Sequence, residues 1–164
     1  MQASQDDPQR TVAALMAASR AFVGITARSL ATMDEDVTLP QFRAMMVLAT
    51  RGPQRAADIS AELNVTPSTG TRMCERLVRK GFVRRTRTTS DRRVVRLRLT
   101  AGGRTLVDEV VSRRRDELAA IVGATAGHWT PAVTAALSAF AEAAGEAAEQ
   151  EWWLGFAADD DVTA

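Results

Sequence analysis

The chain contains one cysteine, Cys74, and one histidine, His128, among 164 residues. One cysteine excludes an intrachain disulfide and fits a reducing cytoplasm. With a lone histidine, no His/Cys/carboxylate set falls at metal-ligand spacing, so no metal centre is expected. Gly102-Gly103 lacks the rest of a phosphate-cradling loop. No nucleophile, base and orienter can be assembled. The sequence therefore reads as a non-enzyme without a cofactor. It has no run of eighteen apolar residues, so no membrane span is expected. Residues 1–7 lack the basic start and apolar stretch of a secretory signal.

Lysine is nearly absent as well: Lys80 stands against 20 arginines. The net charge of +1 hides an uneven distribution. Residues 51–115 hold 17 Lys/Arg against 6 Asp/Glu, a net of +11, and the remainder holds 4 against 14, a net of −10. A basic middle between acidic flanks is the electrostatic footprint of a polyanion site. Arginine's planar fork suits phosphate and guanine better than a point charge does.

What the chain does have is helical periodicity. Residues 1–9 read as a polar arm. Val12, Leu15, Met16, Ser19, Phe22, Val23, Thr26, Leu30 and Met33 keep helical spacing over residues 10–33. Thr38-Leu39-Pro40-Gln41 starts a second helix, which Arg51-Gly52-Pro53 ends. A short helix over about residues 55–63 buries Ala56, Ile59 and Leu63. Asn64 follows, where a tight turn needs a residue tolerant of left-handed backbone.

Thr66 then serves as N-cap, Pro67 as first helical residue, and Gly81 as C-terminal cap, which predicts a helix over 67–80. Gly70, Met73, Cys74, Leu77 and Val78 form its inner stripe. Ser68, Thr69, Arg72, Arg76 and Arg79 lie outside. Small hydroxyls followed by guanidiniums suit the roughly 12 Å wide major groove, where arginine pairs bidentately with guanine. A short helix, a turn and a longer basic helix make a helix-turn-helix pattern.

Next come two predicted strands, residues 82–87 and 94–99, around a polar loop with Arg92 and Arg93 at its tip. Arginine fits the negative potential of a narrow minor groove. Asp91 is expected to hold Arg93 or a strand arginine in place by a charge-assisted hydrogen bond. Thr100 caps a long helix to about residue 123. Thr130-Pro131 opens another, predicted to reach about Trp152. Residues 157–164 read as an acidic disordered tail. The fold class is mainly α with a small β-hairpin: a winged helix-turn-helix over residues 37–100. The helices of 10–36 and 101–156 form a dimerisation region. Their surplus apolar surface most simply meets a second copy across a two-fold axis.

The sequence resembles the MarR-type transcriptional regulators. The resemblance rests on Leu39-Pro40-Gln41-Phe42, residues 57–63, Thr66 to Arg72, Leu77 to Val83, and Asp91-Arg92-Arg93 followed by residues 97–103. It covers about residues 10–150. It implies a cytoplasmic bacterial or archaeal homodimer that binds double-stranded DNA at pseudo-palindromic operators, mostly as a repressor. A small lipophilic or phenolic effector is often what releases the DNA. Ser68, Thr69 and Arg72 match the family's base-reading positions, and Arg93 matches the wing arginine. An effector cleft is expected to draw on Phe22, Thr26, Met45, Met46 and Leu106. Two other readings stand beside this one: a redox-responsive regulator acting through Cys74, and a sequence-tolerant architectural DNA-binding protein.

Overall fold

The computed structural model describes residues 8–33, 36–87 and 94–146. Within them the order is α1 (Pro8–Ala31), α2 (Leu39–Arg51), α3 (Ala56–Glu62), α4 (Pro67–Arg79), β1 (Val83–Arg87), β2 (Val95–Leu99), α5 (Ala101–Ala124), a 3-10 turn (Ala126–His128) and α6 (Pro131–Ala143). The mainly helical class with one hairpin is as the sequence predicts. Asp91, Arg92, Arg93, residues 1–7 of the arm, the acidic tail and Trp152 lie outside the described residues, while residues 8 and 9, expected in the arm, open α1.

Local chemistry sets most boundaries. Thr38 caps α2 reciprocally: its hydroxyl accepts from the Gln41 N–H, and the Gln41 side chain accepts from the Thr38 N–H. α3 and α4 both end in paired backbone bonds around a left-handed residue. At Asn64 (φ 53°), Val65 N–H donates to Ser60 O and Asn64 N–H to Ala61 O. At Gly81 (φ 78°), Phe82 N–H donates to Leu77 O and Gly81 N–H to Val78 O. The same motif stops α6 early. Gly145 (φ 78°) and Glu146 donate to Glu142 O and Ala141 O, so the helix ends at Ala143 instead of continuing toward Trp152.

β1 and β2 pair antiparallel, Val83 opposite Leu99 through Arg87 opposite Val95. The sequence pattern did not reveal a third partner. Gln54 exchanges both backbone hydrogen bonds with Leu97, at 3.0 and 2.7 Å. Arg96 Nη1 also donates to Pro53 O at 3.1 Å. The turn after α2 thus clamps the base of the hairpin.

One core unites these parts: Phe42, Met45 and Leu48 of α2, Ile59 of α3, Leu77 of α4, Val83 and Leu97 of the hairpin, and Leu106, Val107 and Val110 of α5. Two glycines permit its closest approaches. A Cβ at Gly70 would lie 1.9 Å from Ser60 Oγ, and one at Gly103 2.1 Å from Phe82 O. Gly103, which from sequence alone only weakens a first turn, is therefore a packing residue.

α1 packs on α5 through Ile25, Thr26, Ser29 and Leu30. Ile25 and Ser29 replace Phe22 and Val23 as its inner residues. Arg28 pairs with Glu117, and Arg113 donates to Thr32 Oγ1. Arg114 of α5 is half-buried, between exposed Arg113 and Arg115. α6 has no buried residue, and its Val133, Leu137 and Phe140 are exposed, as are Ile121 and Val122 of α5 and Val12 and Met16 of α1.

Candidate nucleic-acid interface

α4 carries the candidate interface because its two faces differ in chemistry. Gly70, Met73, Cys74 and Leu77 are buried against the core, while Ser68, Thr69, Arg72, Arg76 and Arg79 are all exposed. Thr66 Oγ1 accepts from the Thr69 N–H at 3.3 Å and lies 3.1 Å from Ser68 Oγ and 2.9 Å from Thr69 Oγ1. The cap thus gathers both hydroxyls at the N-terminus of the helix, which carries partial positive charge.

The five residues do not share one line. Ser68, Arg72 and Arg79 follow the i, i+4, i+11 ridge opposite the buried stripe. Thr69, Arg72 and Arg76 line a cleft of about 310 Å³ that α4 forms with Thr38, Pro40 and Gln41 at the start of α2. Glu75 stands at i+7 on the same outer ridge, a carboxylate that attention to arginines passes over.

The hairpin adds cations. Arg84 and Arg98 are directly opposed across the two strands, an arrangement of like charge that destabilises an isolated sheet. Burial first, then repulsion from Arg84 and Arg104, pushes the Arg98 pKa below its ordinary value. Such crowding of positive charge is eased by a polyanion. These three arginines were not singled out from the sequence; the cross-strand register is what assembles them.

A local clamp fixes the first turn of α3. The Asp58 carboxylate accepts from the Arg55 backbone N–H at 3.1 Å and from its guanidinium at 3.0 and 2.9 Å. That hydrogen bonding, led by the side chain of Arg55, holds the Asp58 carboxyl below the usual carboxylate range.

The expected effector residues are not brought to a common cavity. Met45 and Leu106 belong to the core, Thr26 is buried with its hydroxyl donating to Phe22 O at 2.9 Å, Met46 is half-buried against the core, and Phe22 is exposed. The resemblance grouped them across three helices, whereas the structure packs Met45 and Leu106 into the core and leaves Phe22 at the surface. A cavity of about 470 Å³ lies nearby, lined by Ala27, Leu30, Ala31, Met33, Asp36, Val37 and Leu39. Cys74 is 4% exposed, and burial pushes its thiol pKa up. That is the opposite of what a reactive thiolate needs. Among the described residues, no group of three or more His, Cys, Asp or Glu is placed to hold a metal ion, and no helix is long and apolar enough to cross a membrane.

Residues 37–95 match the model of the MarR family. The chain is 34% identical over 95 residues to the HTH-type transcriptional repressor MdtR of Bacillus subtilis, covering 57% of this chain and 61% of that one. Against the curated relatives it matches, it spans only 42–61% of their length. Solved structures overlay more fully. RV1404 from Mycobacterium tuberculosis is 37% identical with a TM-score of 0.75, over 89% of this chain and 99% of that one. FabT from Streptococcus pneumoniae, solved in complex with DNA, is 26% identical with a TM-score of 0.61, over 80% and 90%. The family-model match falls on the helix-turn-helix and hairpin, and the overlay on the mycobacterial protein extends over the flanking helices. The chain belongs to the MarR family.

Proposed function

We propose that this protein is a sequence-specific transcriptional regulator, acting as a repressor, that binds a pseudo-palindromic operator in double-stranded DNA as a homodimer. The observation that carries this reading is the outer face of α4, with Ser68, Thr69, Arg72, Arg76 and Arg79 all exposed on one side of a helix whose other side is core. Ser68, Thr69 and Arg72 face bases. Arg76 and Arg79 face phosphates, with Arg92 and Arg93 reaching the flanking duplex and Asp91 orienting Arg93 or a strand arginine.

The dimer rests on the apolar surface that one chain leaves open. Val133, Leu137 and Phe140 of α6 are 37%, 39% and 53% exposed, which is costly for a helix with no core contact of its own. Pairing through these helices sets two copies of α4 one duplex turn apart, roughly 34 Å. A small lipophilic effector is best accommodated in the cavity beside Leu30, Met33, Val37 and Leu39. Its volume of about 470 Å³ falls in the usual range for small-molecule sites, roughly 300–1,000 Å³.

Selection of bound duplexes from a genomic pool, followed by competition binding, tests the reading. A specific regulator prefers its selected site over random duplex by roughly 10³-fold or more. Little or no preference would leave the architectural reading in its place.

A further inference from the structure

The ridge of α4 that faces away from the core reads Ser68, Arg72, Glu75, Arg79. Three of these suit DNA, and the fourth is an anion on a surface meant for a polyanion. The ordinary explanation for such a carboxylate is an ion pair within the helix. Glu75 has Arg79 four residues on, the favourable order for a helical pair, and Arg72 three residues back. Neither pair is made. The ion pairs among the described residues are Arg28–Glu117, Arg51–Glu62, Arg55–Asp58 and Lys80–Asp36, and the Glu75 carboxylate accepts no hydrogen bond from any described residue. Glu75 is half-buried and sits about 10 Å along the axis from Ser68.

Two base edges offer a carboxylate a donor in the major groove, the N4 amino group of cytosine and the N6 amino group of adenine; adenine's neighbouring N7 is an acceptor that repels it, so cytosine is the complementary edge. Guanine and thymine present it only acceptors or a methyl group, and it repels phosphate throughout. We propose that Glu75 is a specificity-determining residue that accepts a hydrogen bond from a cytosine amino group in each half-site, beside the base faced by Arg72. This rests on the proposed function, since it needs α4 in the groove. The contact discriminates more than it attracts: it lowers affinity for random duplex and recovers the loss only at sites presenting cytosine.

The test is duplex selection with the full-length wild type, Glu75→Gln and Glu75→Ala, each checked by thermal melting for an intact fold. The wild type is expected to enrich cytosine at one position per half-site, and replacing that cytosine should weaken binding at least about fivefold. Glu75→Gln should move the preference there to adenine, because a carboxamide matches adenine's N6 and N7. Glu75→Ala should lose preference at that position alone, and both variants should bind random duplex more tightly than the wild type. Unchanged selected sites in both variants would overturn the inference while leaving the proposed function standing. So would a change confined to the base read by Arg72. Absence of any enriched sequence in the wild type would overturn both.

Discussion

Gly70→Ala tests whether the angle between α3 and α4 is set by a steric contact. In most exposed helix interiors alanine is better than glycine by about 1 kcal/mol. Here the added Cβ would lie 1.9 Å from Ser60 Oγ, 2.8 Å from Ser60 Cβ and 3.3 Å from Ser60 Cα. Rotating the hydroxyl relieves only the first contact, at the expense of its 2.7 Å hydrogen bond to Ala56 O. The second involves a carbon fixed to the α3 backbone, so the helices must separate. Overpacking of this kind costs about 1–3 kcal/mol, and contact with a backbone-anchored carbon belongs at the upper end. Setting about 3 kcal/mol of strain against about 1 kcal/mol of propensity gives a net loss of about 2 kcal/mol. For a chain of this size that lowers Tm by about 4–8 °C. Urea unfolding of Gly70→Ala, Ser60→Gly and the double variant measures it. Ser60→Gly removes the two nearest atoms, so the double variant should lose less than the two singles together, by about 1–2 kcal/mol. A Gly70→Ala protein as stable as the wild type, or a strictly additive cycle, would show that α3 and α4 do not meet at this point.

Four further outcomes are expected. Arg72→Ala should cost about 1–3 kcal/mol at the selected operator and relax preference at one base; an equal loss on random duplex would place Arg72 on phosphate. Cys74 should be alkylated slowly in the native state and rapidly in urea, and peroxide should leave DNA binding unchanged, because burial disfavours the thiolate; fast native labelling would restore the redox reading. The folded-state pKa of Asp58 lies below its unfolded value, so its contribution is present above about pH 4 and is lost as pH falls through the folded value. Asp58→Asn should therefore flatten the loss of stability below that point, and parallel acid profiles would contradict the Arg55 clamp. Thr100→Val should cost about 1–2 kcal/mol of unfolding free energy, with Thr100→Ser close to the wild type, because Thr100 Oγ1 accepts from the Gly103 N–H and donates to Gly81 O.

The sequence carried the helix starts and the hairpin because these depend on neighbours a few residues apart. Thr38, Thr66, Thr100 and Thr130 each cap the helix expected of them. Asn64 and Gly81 mark stops through the left-handed backbone they permit. Gly145 does so equally, but an alanine-rich run on both sides concealed it. Contacts between distant segments left weaker traces. Gln54 carries no strand pattern, and its bonding to Leu97 depends on where the turn after α2 lands. Gly70 reads only as an inner residue of its helix and Gly103 only as half of a Gly-Gly pair until the facing Ser60 and Phe82 are in place. The candidate interface was legible as an exposed basic face. The Arg84–Arg98 opposition needed the strand register, and Glu75 needed the observation that its neighbouring arginines leave it unpaired. The expected effector residues do not line one cavity for a related reason: periodicity tells which residues face inward, and inward residues are ordinarily packed against one another.

Where α4, the hairpin and α5 meet, hydrogen bonds to backbone carbonyls add to the side-chain core. Thr100 N–H donates to Phe82 O, Thr100 Oγ1 donates to Gly81 O, and Gly103 lies against the Phe82 carbonyl with no side chain between. Gly81 and Phe82 are themselves the cap that ends α4. The end of α4 and the first turn of α5 therefore share one set of hydrogen bonds through Gly81, Phe82 and Thr100. Further along α5, Arg28–Glu117 and Arg113–Thr32 tie it to α1, and both helices expose apolar residues, Val12 and Met16 of α1 and Ile121 and Val122 of α5. In the proposed dimer, the direction of α5 would set the spacing between the two α4 helices. The cavity beside Leu30, Met33 and Val37 sits where α1 runs toward α2, so on the proposed function a ligand there that changed the inclination of α1 on α5 would alter that spacing or strain the bonds at Thr100. Operator release by that route would need no rearrangement within α4 itself.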